Sequence, residues 1–222
     1  MTSRWPPTSR GTELIASLRC QPLLVVFRPE DPLRLAPLFE ELAALGLIHA
    51  ELACQPRADW SGQCRALIQA FPSMRLGAAS IVSKDALHAA REAGFSYGVS
   101  PVLDGPLLVE ASAAGFLLVP GVMTPSEVWA GWQWGPGLVK LFPAAALGSM
   151  YWSRLRDPLG GSLPFCVAAG GLALEDVRPW LAAGVNAVAV GSRALRVGTP
   201  PGSETIDLEP LRELITQLAL PT

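Results

Sequence analysis

FCVAAGGLALEDVRPWLAAGVNAVAVG, residues 165–191, is the stretch whose reading decides the fold. It opens on one short apolar run, FCVAA (165–169), and closes on another, NAVAVG (186–191). Each is too short for a helix, carries valine and is bounded by glycine or proline, so each reads as a buried strand. Between them ALEDVRPWLAAGV (173–185) has apolar residues at helical spacing and stops at Gly184. Strand, helix and strand in that order form one parallel β/α unit.

The same alternation extends outward along the chain. PLLVVFR (22–28), LIHAELA (47–53), RLGAA (75–79), YGVS (97–100), GFLLVP (115–120) and LVKLF (138–142) complete a set of eight strands. Helical patterns fall between them: PLRLAPLFEELAALG (32–46), SKDALHAAREAG (83–94) and TPSEVWAGW (124–132). Ser83 suits the N-cap of the second and Gly94 its end. In the third, Thr124 and Glu127 form a capping signature and Pro125 fits the first helical position. A short helix at about 12–19 precedes the first strand, and DLEPLRELITQLA (207–219) forms the last. The pattern predicts an α/β fold, a compact (β/α)8 TIM barrel, in a single domain over 1–222. A doubly wound open sheet is disfavoured, because no glycine follows the first strand in PLLVVFRPED (22–31). GTPPGSE (198–204) is expected to join the barrel to the last helix. Trp129, Trp132 and Trp134 read as packing or subunit contact more readily than as a binding site.

Half of the residues are hydrophobic and only 16% are charged, which supplies one large core. With a net charge of −2 and no basic block, neither nucleic acid nor an anionic membrane is the expected partner. No apolar run approaches the roughly 20 residues that span a bilayer. The start, MTSRWPPTSRGTEL, lacks the order of a secretory signal, so a cytoplasmic protein is expected. Cys20, Cys54, Cys64 and Cys166 form no C-x-x-C pair and read as buried or incidental thiols. His49 and His88 are isolated, and neither suggests a metal site or a hydrolase triad.

In such barrels the chemistry lies at the C-terminal ends of the strands. There, one residue stands out: Lys140, flanked by Leu138, Val139, Leu141 and Phe142 in a chain with one other lysine, Lys84. Burial disfavours an ammonium, and a neutral amine is a nucleophile that forms a Schiff base with a carbonyl. A lysine merely paired with a carboxylate, or pointing outward, is the competing explanation. Glu51, near the end of the second strand, is a partner or general acid/base if its alternation is inward. Arg28 ends the first strand and could hold a carboxylate or phosphate, orient Glu51, or make an ordinary ion pair. The seventh and eighth strands end in Gly170 and Gly171 and in Gly191 and Ser192. Glycine lets backbone amides approach an anion, so these four form a candidate phosphate cradle.

Taken together, these residues resemble the KDPG/KHG aldolase family, named for 2-keto-3-deoxy-6-phosphogluconate and 4-hydroxy-2-oxoglutarate. The resemblance covers roughly residues 12–196. Its most specific part is KLFPA (140–144), similar to the Schiff-base lysine motif K-[FIL]-F-P. VPGVMTPSE (119–127), Ser100 and Pro101, Gly170 and Gly171, and Gly191 and Ser192 match as well, as do Glu51 and Arg28. The resemblance implies a class I aldolase that cleaves a phosphorylated 2-keto acid and needs no metal or organic cofactor. Lys140 would form the iminium and Glu51 would move protons, with Arg28 orienting Glu51 or substrate. Ser80, Ser100 and Pro101 would hold the pyruvyl carboxylate, with Pro120 beside them in the fifth-strand motif. Phe142 would flank the iminium and the glycine loops would take the phosphate. A homotrimer is the implied assembly.

Three stretches depart from the family pattern. G-A-G-T reads GAAS (77–80), so Ala79 replaces a glycine while Ser80 keeps the hydroxyl. A threonine before the double glycine is Ala169, and an arginine found in some members after the glutamate is Gln55. These departures bear on the C4 stereochemistry and the tail of the substrate. They leave open the aldolase of the C4 epimer, 2-keto-3-deoxy-6-phosphogalactonate. A phosphosugar isomerase or epimerase and a non-catalytic phosphosugar-binding barrel also stay open.

Overall fold

A computed structural model describes residues 8–55, 57–134, 136–197 and 205–219. Its strands are β1 (Leu23–Phe27), β2 (His49–Ala53), β3 (Arg75–Ala79), β4 (Tyr97–Val99), β5 in two pieces (Leu118–Val119 and Gly121–Val122), β6 (Leu138–Leu141), β7 (Phe165–Ala169) and β8 (Ala187–Gly191). All neighbours pair in parallel, with β1 between β2 and β8. The split in β5 is where the ring closes. Leu118–Val119 pairs with β4 and Gly121–Val122 pairs with β6. Pro120 between them has no N–H to give a ladder. Its carbonyl instead accepts from Lys140 N at 2.8 Å, which carries the ring across the gap. The expected single strand at 115–120 is therefore shorter, displaced and interrupted, while the eight-strand barrel stands.

The helices follow the expected pattern in part. α1 (Ser9–Cys20) is longer than expected because Thr8 caps it, its Oγ1 accepting from Gly11 N at 3.1 Å. The segment at 32–46 begins as a 3-10 turn (Pro32–Leu35) and continues as α2 (Ala36–Ala44). α3 (Trp60–Ala70) was not legible, its apolar spacing being diluted by Ser61, Gly62, Gln63 and Arg65. α4 (Lys84–Ala93) is capped by Ser83 and Gly94 as expected. α5 (Gly105–Ala113) also went unread, since Gly105-Pro106 looks like a turn. Asp104 Oδ1 accepts from Leu107 N at 3.0 Å and starts a helix there.

α6 (Pro125–Trp134) has the reciprocal cap: Thr124 N donates to Glu127 Oε2 at 2.8 Å, and Glu127 N donates to Thr124 Oγ1 at 3.3 Å. A short α7 (Tyr151–Arg154) follows. Pro179 lies in α8 (Val177–Ala182), which is shorter than its pattern and preceded by a 3-10 turn. α9 (Glu209–Ala219) is the last. The expected connector at 198–204 lies outside the described residues.

Alternation along the strands sorts side chains into two apolar cores. Val25, Leu52, Leu76, Val139, Cys166 and Val188 face outward and pack under the helices. Leu24, Tyr97, Val99, Val119, Leu138, Val167 and Ala189 face inward and fill the barrel. One face of α1, with Leu14, Ile15 and Leu18, joins this inner core and plugs the end of the barrel opposite the strand C-termini. Gln21 pins the junction, donating to Gly46 O at 2.8 Å and accepting from Ile48 N at 2.7 Å. His49 adds a polar tie, its Nε2 lying 3.2 Å from Ser17 Oγ of α1.

His49 is fully buried, and loss of solvation lowers its pKa from 6.5 to about 4; the Ser17 contact opposes this and Arg75 adds to it. A histidine whose pKa falls on folding binds more protons unfolded, so stability declines as pH drops from 6.5 through 4. At about 1.4 kcal/mol per tenfold change in proton affinity, this is on the order of 3 kcal/mol. Urea unfolding should therefore show wild type losing more stability than His49→Gln between those limits. Parallel curves would refute this role.

Candidate active site

Inward alternation brings Lys140 and Glu51 into one barrel. On β6, Lys140 shares a face with the inward Leu138. On β2, Glu51 shares one with His49. Lys140 is 7% exposed and Glu51 2%. Both line a narrow gap with Leu24, Tyr97, Val119 and Val167. The outward alternative for Lys140 is thereby excluded, and the conditional placement of Glu51 is met.

Burial dominates the electrostatics of the pair. Desolvation lowers the Lys140 pKa; the Glu51 carboxylate opposes this and the Arg28 guanidinium reinforces it. Desolvation raises the Glu51 pKa, opposed in turn by Lys140, Tyr97 and Arg28. The amine is thus biased toward its neutral, nucleophilic form, and the carboxyl toward holding a proton more tightly than a solvated glutamate does. The Phe142 ring centroid is 5.2 Å from Lys140 Nζ and gives the amine an apolar wall.

Arg28 lies just past β1 and reaches across β2 to the end of β3, donating from Nη1 to Ser80 Oγ at 3.2 Å. Ser80 holds a left-handed backbone, φ +63°, unusual for a residue with a side chain. Arg28 and Ser80 therefore form one polar edge of the mouth. Ser100 is buried, and its Oγ accepts from Val102 N at 3.2 Å, which leaves its O–H to donate elsewhere. Pro101 packs against Gly121, and Pro120 holds the backbone of Lys140 as described above.

The double glycine at the end of β7 has a structural as well as a candidate binding role. Gly170 and Gly171 take φ +98° and +78°, open to glycine and strained for other residues. A Cβ on Gly170 would lie 2.8 Å from the Phe142 ring, and one on Gly171 would lie 2.9 Å from Ala145 Cβ. Ala145 N donates to Gly170 O at 3.0 Å. The pair thus clamps the loop after Lys140 and sets Phe142 beside the amine. Gly191 ends β8 opposite Val26, and Ser192 opens a 3-10 turn (Ser192–Leu195).

Tyr97 is a site residue that the sequence reading passed over. It is 1% exposed, faces inward on β4 and influences the titration of Glu51. Tyr97 OH and Glu51 Oε2 are close enough for that influence, yet neither makes a closed hydrogen bond. The signal was present in FSYGVS (95–100), where a phenol stands at an inward position of an otherwise apolar strand.

The chain is similar to proteins of known family. The KDPG and KHG aldolase family model matches residues 14–200. The 2-dehydro-3-deoxy-phosphogluconate aldolase of Pseudomonas aeruginosa is 30% identical over 184 residues, covering 83% of this chain and 81% of the relative. The 2-dehydro-3-deoxy-6-phosphogalactonate aldolase of Escherichia coli is 26% identical over 141 residues, 63% of this chain and 68% of that one. A KDPG aldolase structure from Legionella pneumophila, with pyruvate captured as a covalent carbinolamine, superposes with a TM-score of 0.71. It is 25% identical, over 96% of this chain and 97% of that one. With the barrel, the buried lysine–glutamate pair and the family match in agreement, the chain belongs to the KDPG/KHG aldolase family of class I aldolases.

Proposed function

We propose that this protein cleaves 2-keto-3-deoxy-6-phosphogluconate to pyruvate and glyceraldehyde 3-phosphate, with 4-hydroxy-2-oxoglutarate as a second substrate. One observation carries the reading: a desolvated amine and a desolvated carboxyl share the inside of one barrel. Neutral Lys140 attacks the C2 carbonyl, and the carbinolamine loses water to give an iminium. The C4 hydroxyl gives its proton to Glu51, the C3–C4 bond breaks, and its electron pair moves into the iminium. This releases the aldehyde and leaves an enamine. Proton return to C3 and hydrolysis free pyruvate and restore Lys140. Burial of the amine supports the first step at neutral pH, and the raised affinity of Glu51 for protons suits it to both transfers.

In this reading Arg28, Ser80, Ser100 and Pro101 hold the pyruvyl carboxylate, and Pro120 fixes the strand that carries Lys140. Phe142 flanks the iminium. Backbone amides around Gly170, Gly171, Gly191 and Ser192 bind the phosphate. Ala169 faces inward just before the double glycine, where the family pattern has a threonine. In this reading Ala169 is where the C4 epimers would be told apart, and the Escherichia coli relative keeps 2-keto-3-deoxy-6-phosphogalactonate as a second reading. Assembly as a homotrimer is part of the proposal, and sedimentation at micromolar concentration tests it. Among the described residues no helix is long and apolar enough to cross a membrane, and a cytoplasmic location is proposed.

Pyruvate with borohydride should label Lys140 and spare Lys84, the one other lysine, as read by mass spectrometry. Label on Lys84 alone, or on neither, would sink the Schiff-base reading. Lys140→Ala should lower turnover by at least about a thousandfold, as expected where a covalent nucleophile is lost, with unchanged circular dichroism. Cleavage of the two C4 epimers, compared as kcat/KM, chooses the substrate: the gluconate form should lead, and a lead for the galactonate form would select the second reading.

A further inference from the structure

Glu51, Gly77 and Tyr97 form one row across β2, β3 and β4, for Glu51 is in register with Gly77 and Gly77 with Tyr97. Residues in register on parallel strands project to the same side. The middle member has no side chain, so nothing stands between the carboxylate and the phenol. The fit is close: a Cβ on Gly77 would lie 2.3 Å from Tyr97 Cζ and 2.8 Å from its hydroxyl oxygen. The phenol therefore leans over Gly77 toward Glu51. Both groups are buried, and Glu51 Oε2 and Tyr97 OH are each without a hydrogen-bond partner. An unsatisfied buried polar atom costs about 1–3 kcal/mol, and one small movement would satisfy both at once. Tyr97 also borders Ser9, Glu13 and Leu14 of α1, on the plugged side of Glu51 and away from the mouth, so it acts on the chemistry through Glu51.

We propose that Tyr97 is a positioning residue whose hydroxyl donates to the Glu51 carboxylate from the plugged end of the barrel and aims it at the mouth. This rests on the aldolase reading above. Burial pushes the Tyr97 phenol well above its usual range, and Glu51 adds to this, so the hydroxyl remains a donor at working pH. Glu51 is then held from three sides: Lys140 on β6, Arg28 past β1 and Tyr97 on β4. Arg75 of β3 acts on Tyr97, and His49 lies one layer below Glu51 on the same strand, neutral through burial.

Tyr97→Phe removes only the hydroxyl. The assay is deuterium exchange at the methyl group of pyruvate, which needs Lys140 and the base but no phosphorylated tail. Exchange should fall about tenfold, the size expected for one hydrogen bond to a charged group. Losing a donor that favours the ionised carboxylate should also move the acidic limb of the pH profile to higher pH, while borohydride labelling of Lys140 persists. An unchanged rate, or a slower rate with an unmoved limb, would overturn the proposal; the second would mark a purely structural role. Absence of exchange in wild type would instead count against the aldolase reading. A second measurement stands apart from both activity and the variant. The chain has two tyrosines, so 3-fluorotyrosine protein gives two fluorine signals, separated by Tyr151→Phe. The Tyr97 signal should shift in Glu51→Gln, and a signal that stays in place would refute the contact.

Discussion

Removing an ammonium and a carboxylate from water costs several kcal/mol each, and their mutual attraction offsets only part of that cost. Lys140 and Glu51 face this constraint inside a barrel filled mostly by leucine, valine and alanine, with Tyr97 close by. The outcome is a pair biased toward neutrality on both sides. A surface lysine and glutamate would keep their charges and react poorly. The apolar interior is therefore part of the chemistry as well as the source of the fold. Arg28 sharpens the asymmetry, since its charge disfavours a second cation at Lys140 while favouring an anion at Glu51.

The supporting structure holds those two groups in place. Pro120 breaks β5 but uses its carbonyl to fix Lys140 N. Gly170 and Gly171 leave room for Phe142 and Ala145, so the loop after the lysine lies flat against the end of β7. Gly77 leaves room for Tyr97 between β2 and β4. These positions are all defined by backbone approach. Each sets the location of a neighbouring side chain that faces the reacting centre.

Much of this was legible in the sequence, because strand alternation and short apolar runs are local signals. The strand set and the capping pair Thr124–Glu127 could be read that way, and Lys140 stood out as a candidate whose inward or outward facing stayed open. Helices α3 and α5 could not. Ser61, Gly62 and Gln63 hide the apolar face of one, and Gly105-Pro106 disguises the start of the other. Tyr97 differs again: its inward phenol is visible in FSYGVS, but its partner Glu51 is set by register across three strands, which no local window contains. The interruption at Pro120 is similar, since the carbonyl that rescues the ladder is visible only once β6 lies beside it. Gly170 and Gly171 read in the sequence as an anion cradle, because their packing against Phe142 and Ala145 exists only once β7 lies beside the loop after β6.

Plugging by α1 turns the barrel into a cul-de-sac. Leu14 and Leu18 close the floor of the gap that Lys140 and Glu51 line, so in the proposed reaction the substrate approaches from the strand C-termini. The three-carbon acid remains tethered at the back while the aldehyde half sits toward the mouth. Release is therefore ordered, aldehyde first and pyruvate last, because only the pyruvyl half is bonded to Lys140.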